Sequence, residues 1–299
     1  MHARIGAHSV NVDPSGAFVF VPHVGWDGYP LISAGGQPAE RAEAKAAYNE
    51  SDAIYQFTFD ASGTLAPNAT PVLWYEWMAR GPRHMCFHPT LPMCCECSSS
   101  GACPPFSAVF QQAVVLWTDT SDEMSSTVTA LALNPANGEL TIEQSIAMLP
   151  ERGRWAEPLH APDFAAAGSS EELLASLESL QAEREADDDT NSAAQLRIHP
   201  SGRWLYAPSR GHDSIAVFAV GEDGLLSLVE RVPTEPHTRG MALDPDGRFL
   251  LAAGVYSGAV SVYSINADSG RLRFVHRQAV GEAPMWIVVA AAPDRAAAL

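Results

Sequence analysis

The chain has 299 residues, of which 46% are hydrophobic, so it is long enough to bury a sizeable core in one large domain. Its formal net charge is −17, from 35 acidic and 18 basic residues. This balance argues against nucleic acid as a partner, because phosphate binding needs a surplus of Lys and Arg, and an anionic small molecule would need a local basic pocket.

A phrase of two apolar strands around a tight turn recurs along the chain. Between the strands stand Asp or His, Pro, a small or acidic residue and Gly, at Val10–Pro22, Leu196–Pro208 and Met241–Ala253, with a degraded copy at Met85–Pro92. Pro presets the φ of the turn, Ser or Asp can bond the turn backbone, and Gly tolerates a positive φ. Repetition of such a unit every 40–50 residues or so predicts a propeller-like array.

Further strands with alternating apolar and polar residues follow these phrases and run into hairpin-type Gly turns. They lie at Asp52–Asp60, Ser126–Asn134, Asp213–Gly221 and Ala259–Ala267, and a final strand is predicted at Trp286–Ala290. Each unit therefore supplies about four strands, the number in a propeller blade. We expect an all-β propeller in a single domain, residues 1–299, with four-stranded blades that form an incomplete ring of about four to five blades.

Three segments interrupt this rhythm and are interpreted as insertions. They are a Gly/Ala-rich segment at about 28–50, a Cys/Ser/Pro-rich segment at about 93–112 and an acidic segment at about 152–191. In the third, Ser169 and Glu172 form a capping box and Leu173, Leu177 and Leu180 form one apolar stripe, which predicts a short helical insertion. Packing of this helix on its own propeller and binding of a partner both remain open.

The cysteines indicate a reducing compartment. Four of the five lie between Cys94 and Cys103, and such an odd, bunched set is not the framework of a disulfide-stapled domain. The CxxC spacing of Cys94 and Cys97 can bind zinc, but no second pair follows it, so we expect no metal. No apolar run reaches the length of a membrane-spanning helix and the first residues lack a signal-peptide core, so we expect a cytoplasmic protein without a membrane partner.

Arginine and histidine residues mark the candidate site. Arg83 and His84 follow a Gly-Pro turn directly before a strand, while Arg210 and Arg239 stand beside strands of later units. Because equivalent positions in successive blades face the same end of the central channel, these arginines are predicted to form a basic funnel. Arg offers a planar fork for phosphate or carboxylate, and His can move a proton near neutral pH. In the alternative interpretation each Arg pairs with a neighbouring acid between blades.

Carboxylates near these positions are candidates for a general base. They are Glu123, Asp213 and Glu235. A carboxylate beside Arg and His can deprotonate water if its pKa is suitable. The alternative is that these acids cap turns or strands.

Five segments together resemble a known family. They are GPRHMCFHP at 81–89, DEMSSTVTAL at 122–131, LRIHPSGRWLYAPSRGHDSIAVF at 196–218, PTEPHTRGMALDPDGRFLLAAG at 233–254 and AVGEAPMWIVV at 279–289. In order and spacing they are similar to the seven-bladed propeller lactonase family. The resemblance implies hydrolysis of a small anionic sugar lactone, 6-phospho-D-glucono-1,5-lactone, to 6-phosphogluconate in the pentose phosphate pathway, without metal or cofactor.

The resemblance also implies a set of site residues. Those assigned to catalysis are Arg83, His84 and Glu123, and those assigned to substrate binding are His8, Arg210 and Arg239. Two other functions remain open on the same scaffold. One is a cyclase or lactonase for carboxymuconate-type lactones, and the other is a non-catalytic interaction propeller or an inactive remnant. The sequence leaves the oligomeric state undetermined.

Overall fold

The computed structural model describes residues 7–23, 53–74, 82–89, 111–117, 127–149 and 192–290, and every regular element in these ranges is a β-strand. The predicted insertions at 28–50 and 152–191, including the short helix, lie outside the described residues. So does the insertion at 93–112 apart from its last two residues, which begin a strand. No helix in the described ranges has the length and hydrophobicity needed to cross a membrane.

The strands form four antiparallel sheets, in which neighbours in sequence are neighbours in space, except that the short first strand of the third sheet pairs with the strand two places further along the chain. Blade 1 contains β1 (Asn11–Val12), β2 (Phe18–His23), β3 (Ala53–Phe59) and β4 (Leu65–Trp74). Blade 2 contains β5 (Pro82–Phe87), β6 (Gln111–Trp117), β7 (Thr127–Leu133) and β8 (Leu140–Ala147). Blade 3 contains β9 (Ser192–Ala193), β10 (Arg197–Ile198), β11 (Trp204–Arg210), β12 (Ser214–Val220) and β13 (Leu226–Pro233). Blade 4 contains β14 (Thr238–Leu243), β15 (Phe249–Gly254), β16 (Ala259–Ile265) and β17 (Leu272–Ala279).

The predicted turn chemistry is confirmed in the repeated phrase. Gly16, Gly202 and Gly247 have φ values of 76°, 75° and 69°, which only Gly adopts without strain. Asp13 Oδ1 accepts the backbone N–H of Phe18 at 2.8 Å, so the side chain at the first turn position closes the hairpin. The strand-forming segments at 52–60, 126–134, 213–221 and 259–267 are confirmed as β3, β7, β12 and β16.

The hydrophobic core lies between successive blades. Side chains of blades 1 and 2 meet around Phe20, Ile54 and Leu131, and those of blades 3 and 4 meet around Tyr206 and Tyr263. A further cluster joins blades 2 and 3. All seven residues of β7 are buried, because a middle strand of an inner blade is covered on both faces, and this explains its nearly continuous apolar sequence.

Polar side chains repeat the same connections from blade to blade. His88 of blade 2 donates from Nε2 to the carbonyl of Gly202 in blade 3 at 3.0 Å, and His199 of blade 3 donates likewise to Gly247 in blade 4 at 2.8 Å. Gln144 of blade 2 accepts the N–H of Leu226 and donates to its carbonyl at 2.6 and 2.9 Å. We call the first strand of a blade's path its inner strand, namely β1, β5, β10 and β14. His88 follows the inner strand of blade 2 and His199 that of blade 3, so each is both a turn residue and a link to the next blade.

The Gly202→Ala substitution tests how much the hydrogen bond between His88 and Gly202 contributes to stability. A methyl group there would require a left-handed alanine and would also overlap the His88 ring, which must move and lose its hydrogen bond. Gly16→Ala is the matched control, because Gly16 has the same φ but no atom within 4 Å of the added carbon. We expect a loss of about 1–2 kcal/mol in the control and about 1–2 kcal/mol more in Gly202→Ala, measured by urea unfolding. Equal losses would contradict the role of His88.

The predicted final strand at Trp286–Ala290 is not formed as a paired strand. The backbone at the start of this segment lies directly against Gly240 of β14. A side-chain carbon added to Gly240 would be only 2.7 Å from the carbonyl oxygen of Met285 and 3.0 Å from Cα of Trp286. It has the apolar sequence of a strand, but it makes no ladder with any described strand, and Trp286 is 62% exposed. Apolar sequence alone predicts an extended backbone here, whereas a strand also requires a hydrogen-bonding neighbour.

Candidate active site

Residues at the starts of the inner strands of blades 1 and 2 are joined directly. The Nε–H of Arg83 donates to Nε2 of His8, and Ser9 Oγ donates to the carbonyl of Arg83 at 2.8 Å. The rings of His8 and His84 meet edge to face with their centroids 4.6 Å apart. Because Nε2 of His8 accepts a hydrogen bond, the proton of the neutral ring must be on Nδ1. The structure therefore brings three of the predicted residues together.

Arg210 adds a second guanidinium group from blade 3. Its Nη2 donates to the carbonyl of Ala193 at 2.9 Å, and Nη1 of Arg83 reaches the same carbonyl at 3.4 Å. Both arginines are buried, at 9% and 6% exposure. Burial, and then the charge of Arg239, lowers the pKa of Arg83 to about 10, so it stays protonated at neutral pH. Guanidinium groups from blades 2, 3 and 4 thus act on one region, and their assignment to a substrate site stays a prediction.

Arg239 is the more accessible of these groups. It is half-buried at the start of β14, and its Nη1 contacts the sulfur of Met285 at 3.4 Å. The positive charge of Arg239 lowers the pKa of His8 and of Arg83, which places it in the same electrostatic neighbourhood. A half-buried guanidinium beside two buried ones is well placed to meet an anion that enters from solvent.

The imidazoles of this region are neutral at physiological pH. Burial, followed by the charge of Arg83, lowers the pKa of His8 to about 4 and that of His84 to about 2. A third ring, His237, also has its pKa lowered to about 4, by burial and then by the charges of Arg210, Arg239 and Arg83. Neutral imidazoles retain a lone pair, so they can accept a proton or a hydrogen bond.

His237 is a site residue that the sequence analysis missed. Its φ of 56° is left-handed, which is uncommon for any residue other than Gly. The carboxylate of Asp213 holds this conformation, since its Oδ1 accepts the N–H of His237 at 2.8 Å and the N–H of Gly211 at 3.1 Å. Asp213 and His237 are 24 residues apart in the chain, so no local sequence pattern signals their contact.

The predicted carboxylates have other roles or are not described. Asp213 fixes the loop backbone, as above, and Glu235 is fully buried with Arg277 Nε 2.9 Å from its Oε1. Ser261 donates to the same oxygen of Glu235 at 2.5 Å. Their interpretation as general bases is therefore replaced by structural roles. Glu123 lies outside the described residues, so its assignment stays a prediction.

Arg197 and Gln195, which precede β11, connect blade 3 to blade 4. Arg197 Nε donates to the carbonyl of Met241 at 2.9 Å, and its guanidinium lies 5.8 Å from the centre of the Trp286 ring. Gln195 Oε1 accepts the N–H of Met241 at 3.2 Å. No group of three potential metal ligands occurs within the described ranges, and Cys94–Cys103 lie outside them.

Imidazoles with lowered pKa values, among them those of His8, His84 and His237, make the stability of the protein depend on pH. An unfolded His titrates near 6.5, whereas the folded rings stay neutral down to about pH 4, so the unfolded chain binds more protons between these values. Stability is therefore complete above about pH 6.5 and is lost as the pH falls towards 4. We expect urea unfolding in buffers free of phosphate and sulfate to show a lower free energy at pH 5 than at pH 7.5.

The His237→Asn substitution is expected to reduce this fall, because Asn tolerates the left-handed backbone but does not titrate. His276→Gln, at an exposed position of β17, is the control and should leave the fall unchanged. An identical pH dependence in wild type and His237→Asn would contradict a neutral ring at this position.

Comparison with known proteins identifies the fold family. A model of the seven-bladed β-propeller lactonases matches residues 50–289. The chain is 30% identical over 286 residues to the 6-phosphogluconolactonase of an Enterobacter species, which covers 95% of this chain and 61% of that protein. It is 32% identical over 243 residues to the 6-phosphogluconolactonase of Sodalis glossinidius, covering 81% of this chain and 56% of that protein. The chain thus spans about three fifths of the length of these curated relatives.

Solved structures support the same architecture. A Lactobacillus plantarum protein superposes with a TM-score of 0.60 at 20% identity, over 94% of this chain and 57% of that one. The periplasmic gluconolactonase of Pseudomonas aeruginosa superposes with a TM-score of 0.56 at 21% identity, over 93% of this chain and 55% of that one. At these identities the likeness shows the fold alone. Together with the match of the family model over most of the sequence, the four antiparallel blades show that the chain belongs to the seven-bladed β-propeller lactonase family.

Proposed function

We propose that the protein hydrolyses a phosphorylated sugar lactone, 6-phospho-D-glucono-1,5-lactone, to 6-phosphogluconate. The observation that carries this proposal is the meeting of Arg83, Arg210 and Arg239, from three blades, with neutral imidazoles at the starts of the inner strands. An anion is the ligand that such a cluster favours, and a protein of net charge −17 would repel anions unless a local basic site overcame its overall field. The names of the similar 6-phosphogluconolactonases support the choice of substrate.

In the proposed mechanism the arginines bind two different groups of the substrate. Arg239, which is half-buried, and Arg210 bind the phosphate of the substrate. Arg83 is held by His8 and by the carbonyl of Ala193, so its charge is fixed in position for the lactone carbonyl. A fixed donor stabilises the negative charge that develops on that oxygen without reorganising during the reaction.

The chemical step consumes one water molecule and needs no covalent intermediate. Water attacks the lactone carbonyl carbon as a base removes its proton, the tetrahedral oxyanion forms beside Arg83, and the ring C–O bond then breaks. The leaving ring oxygen takes a proton to become a hydroxyl group, and the new carboxylic acid ionises. Either Glu123 or the neutral ring of His84 acts as the base in this proposal.

The low pKa of His84 is compatible with this role once substrate is bound. In the free protein, burial and the charge of Arg83 are the largest causes of the lowered pKa. A bound phosphate offsets the arginine charges, so the pKa of the imidazole should rise in the complex. A base is most effective when its pKa approaches the working pH, and substrate binding shifts His84 in that direction.

The decisive experiment is an assay of the purified full chain on freshly prepared 6-phosphogluconolactone, with the spontaneous hydrolysis rate subtracted. We expect a rate proportional to protein concentration, and circular dichroism must show a folded β-protein. A folded protein that gives only the spontaneous rate would refute the proposed function. Faster turnover of a carboxymuconate-type lactone than of the sugar lactone would refute the substrate assignment. In this proposal the protein acts in the cytoplasm, within the pentose phosphate pathway.

A further inference from the structure

An exposed aromatic stack lies next to the arginine cluster. Tyr256, in the turn between β15 and β16, is 72% exposed, and its ring lies on that of His237 with centroids 4.4 Å apart and planes inclined by 28°. His237 occupies the loop before the inner strand β14, so both rings are at the same end of blade 4 as Arg239. Most of the Tyr256 surface is left open to solvent.

The stack is fixed in position by the backbone of both loops. The N–H of Tyr256 donates to the carbonyl of Pro236 at 3.4 Å, and the N–H of Val255 donates to the carbonyl of His237 at 3.3 Å. His237 itself is held in a left-handed conformation by the carboxylate of Asp213. A strained backbone conformation persists only where its surroundings determine it, so the ring under Tyr256 is a rigid support.

The support ring and the arginines belong to one electrostatic neighbourhood. The charges of Arg210, Arg239 and Arg83 all act on His237, and Arg239 is two residues further along the chain. An anion held by these guanidinium groups therefore lies at the same end of blade 4 as the stack, where one small ligand can contact both. Single exposed aromatic side chains need no explanation, but a rigid aromatic pair beside an anion site does.

We propose that the Tyr256–His237 pair is a platform for the ring of the substrate, and that it makes the site select cyclic phosphorylated sugars over other phosphates. This inference rests on the proposed function. The C–H groups on one face of a pyranose or lactone ring pack on an aromatic face, while the phosphate is bound by the arginines. Tyr256 supplies area at little entropic cost, because its ring is already fixed by His237.

Calorimetric titration of the full chain with glucose 6-phosphate and with inorganic phosphate tests the platform. Glucose 6-phosphate carries both a pyranose ring and a phosphate and does not hydrolyse under these conditions. We expect Tyr256→Ser to weaken binding of glucose 6-phosphate about tenfold and to leave binding of inorganic phosphate within about twofold. Tyr256→Phe keeps the ring without the hydroxyl group and should bind both ligands like the wild type. His237→Asn removes the support and should resemble Tyr256→Ser.

Kinetics on the lactone provide a second test. We expect Tyr256→Ser to raise KM and to change kcat little. Unchanged binding of glucose 6-phosphate in Tyr256→Ser, equal loss for both ligands, or a wild type that binds the sugar phosphate no better than phosphate would overturn the platform. Selective binding without lactone hydrolysis would instead refute the proposed function and leave the platform standing. Hydrolysis together with unchanged sugar-phosphate binding in Tyr256→Ser would refute the platform alone.

Discussion

The Arg239→Met substitution is expected to lower kcat/KM for 6-phosphogluconolactone about 100-fold. Met keeps an unbranched, flexible stem, but it ends near the position of the Arg Nε, so it removes both the most accessible charge of the cluster and the contact of Nη1 with Met285. A charge-assisted contact to a phosphate or an oxyanion contributes about 2–3 kcal/mol, and each 1.4 kcal/mol corresponds to a factor of ten. The measurement is the initial rate over a range of lactone concentrations, and the loss should lie mainly in KM if Arg239 holds the phosphate.

Arg248→Met is the matched control for charge. Arg248 is 68% exposed and pairs with Asp244 and Asp246. These three residues belong to the turn after β14, at the opposite end of that strand from Arg239. It should retain the activity of the wild type. The same experiment has a readout independent of turnover, because loss of Arg239 should raise the pKa of His8 as followed by NMR. An unchanged kcat/KM and an unchanged His8 titration would together remove Arg239 from the site.

The repeated turn phrase made most of the fold predictable. The positive φ of Gly16, Gly202 and Gly247 is a local requirement, so the sequence records it at each copy. Strands β3, β12 and β16 alternate in hydrophobicity and end in Gly turns, which is again local information. The prediction at Trp286–Ala290 was wrong because pairing depends on a neighbouring strand, and the residues of one segment cannot report that.

The candidate site was predictable only where it follows the repeat. Arg83, His84 and Arg239 stand at the starts of inner strands, and their convergence follows from the symmetry of blades. By contrast, the contact of Arg83 with His8 spans 75 residues, and that of Asp213 with His237 spans 24. Such contacts between blades depend on side-chain geometry and leave no periodic signal. For Asp213 and Glu235 the sequence left both a general base and a structural role open, because it cannot distinguish an exposed carboxylate from one that is already hydrogen-bonded.

The protein has a large negative net charge overall but a local cluster of positive charge at the candidate site. The net charge of −17 is distributed over the whole chain, whereas the arginines that act on His8 and His237 are confined to the ends of the inner strands. Salt screens the long-range repulsion of an anionic substrate within about 8–10 Å, but it screens the contacts of buried arginines much less. Moderate ionic strength should therefore speed substrate capture more than it weakens binding.

The Arg83→Lys substitution is expected to lower kcat about 30-fold while changing KM less than about threefold. Lys retains the positive charge, but it cannot reproduce the planar fork that reaches both Nε2 of His8 and the carbonyl of Ala193. The charge would no longer be fixed beside the lactone carbonyl, and removal of an oxyanion donor typically costs about 3–4 kcal/mol, of which a misplaced charge loses a part. The separation of kcat from KM distinguishes this role from phosphate binding.

Arg203→Lys is the control for the chemical change itself. Arg203 is exposed, donates to the carbonyl of Asp268 at 3.3 Å and lies over the Trp204 ring. It directly precedes β11, whereas Arg210 is the last residue of that strand. Its conversion to Lys should leave kcat and KM as in the wild type. Urea unfolding of Arg83→Lys must show a cooperative transition so that a lower kcat is not a loss of folded protein. A folded Arg83→Lys protein with wild-type kcat would refute the assignment of Arg83 to the oxyanion, and one with raised KM alone would move Arg83 to the phosphate.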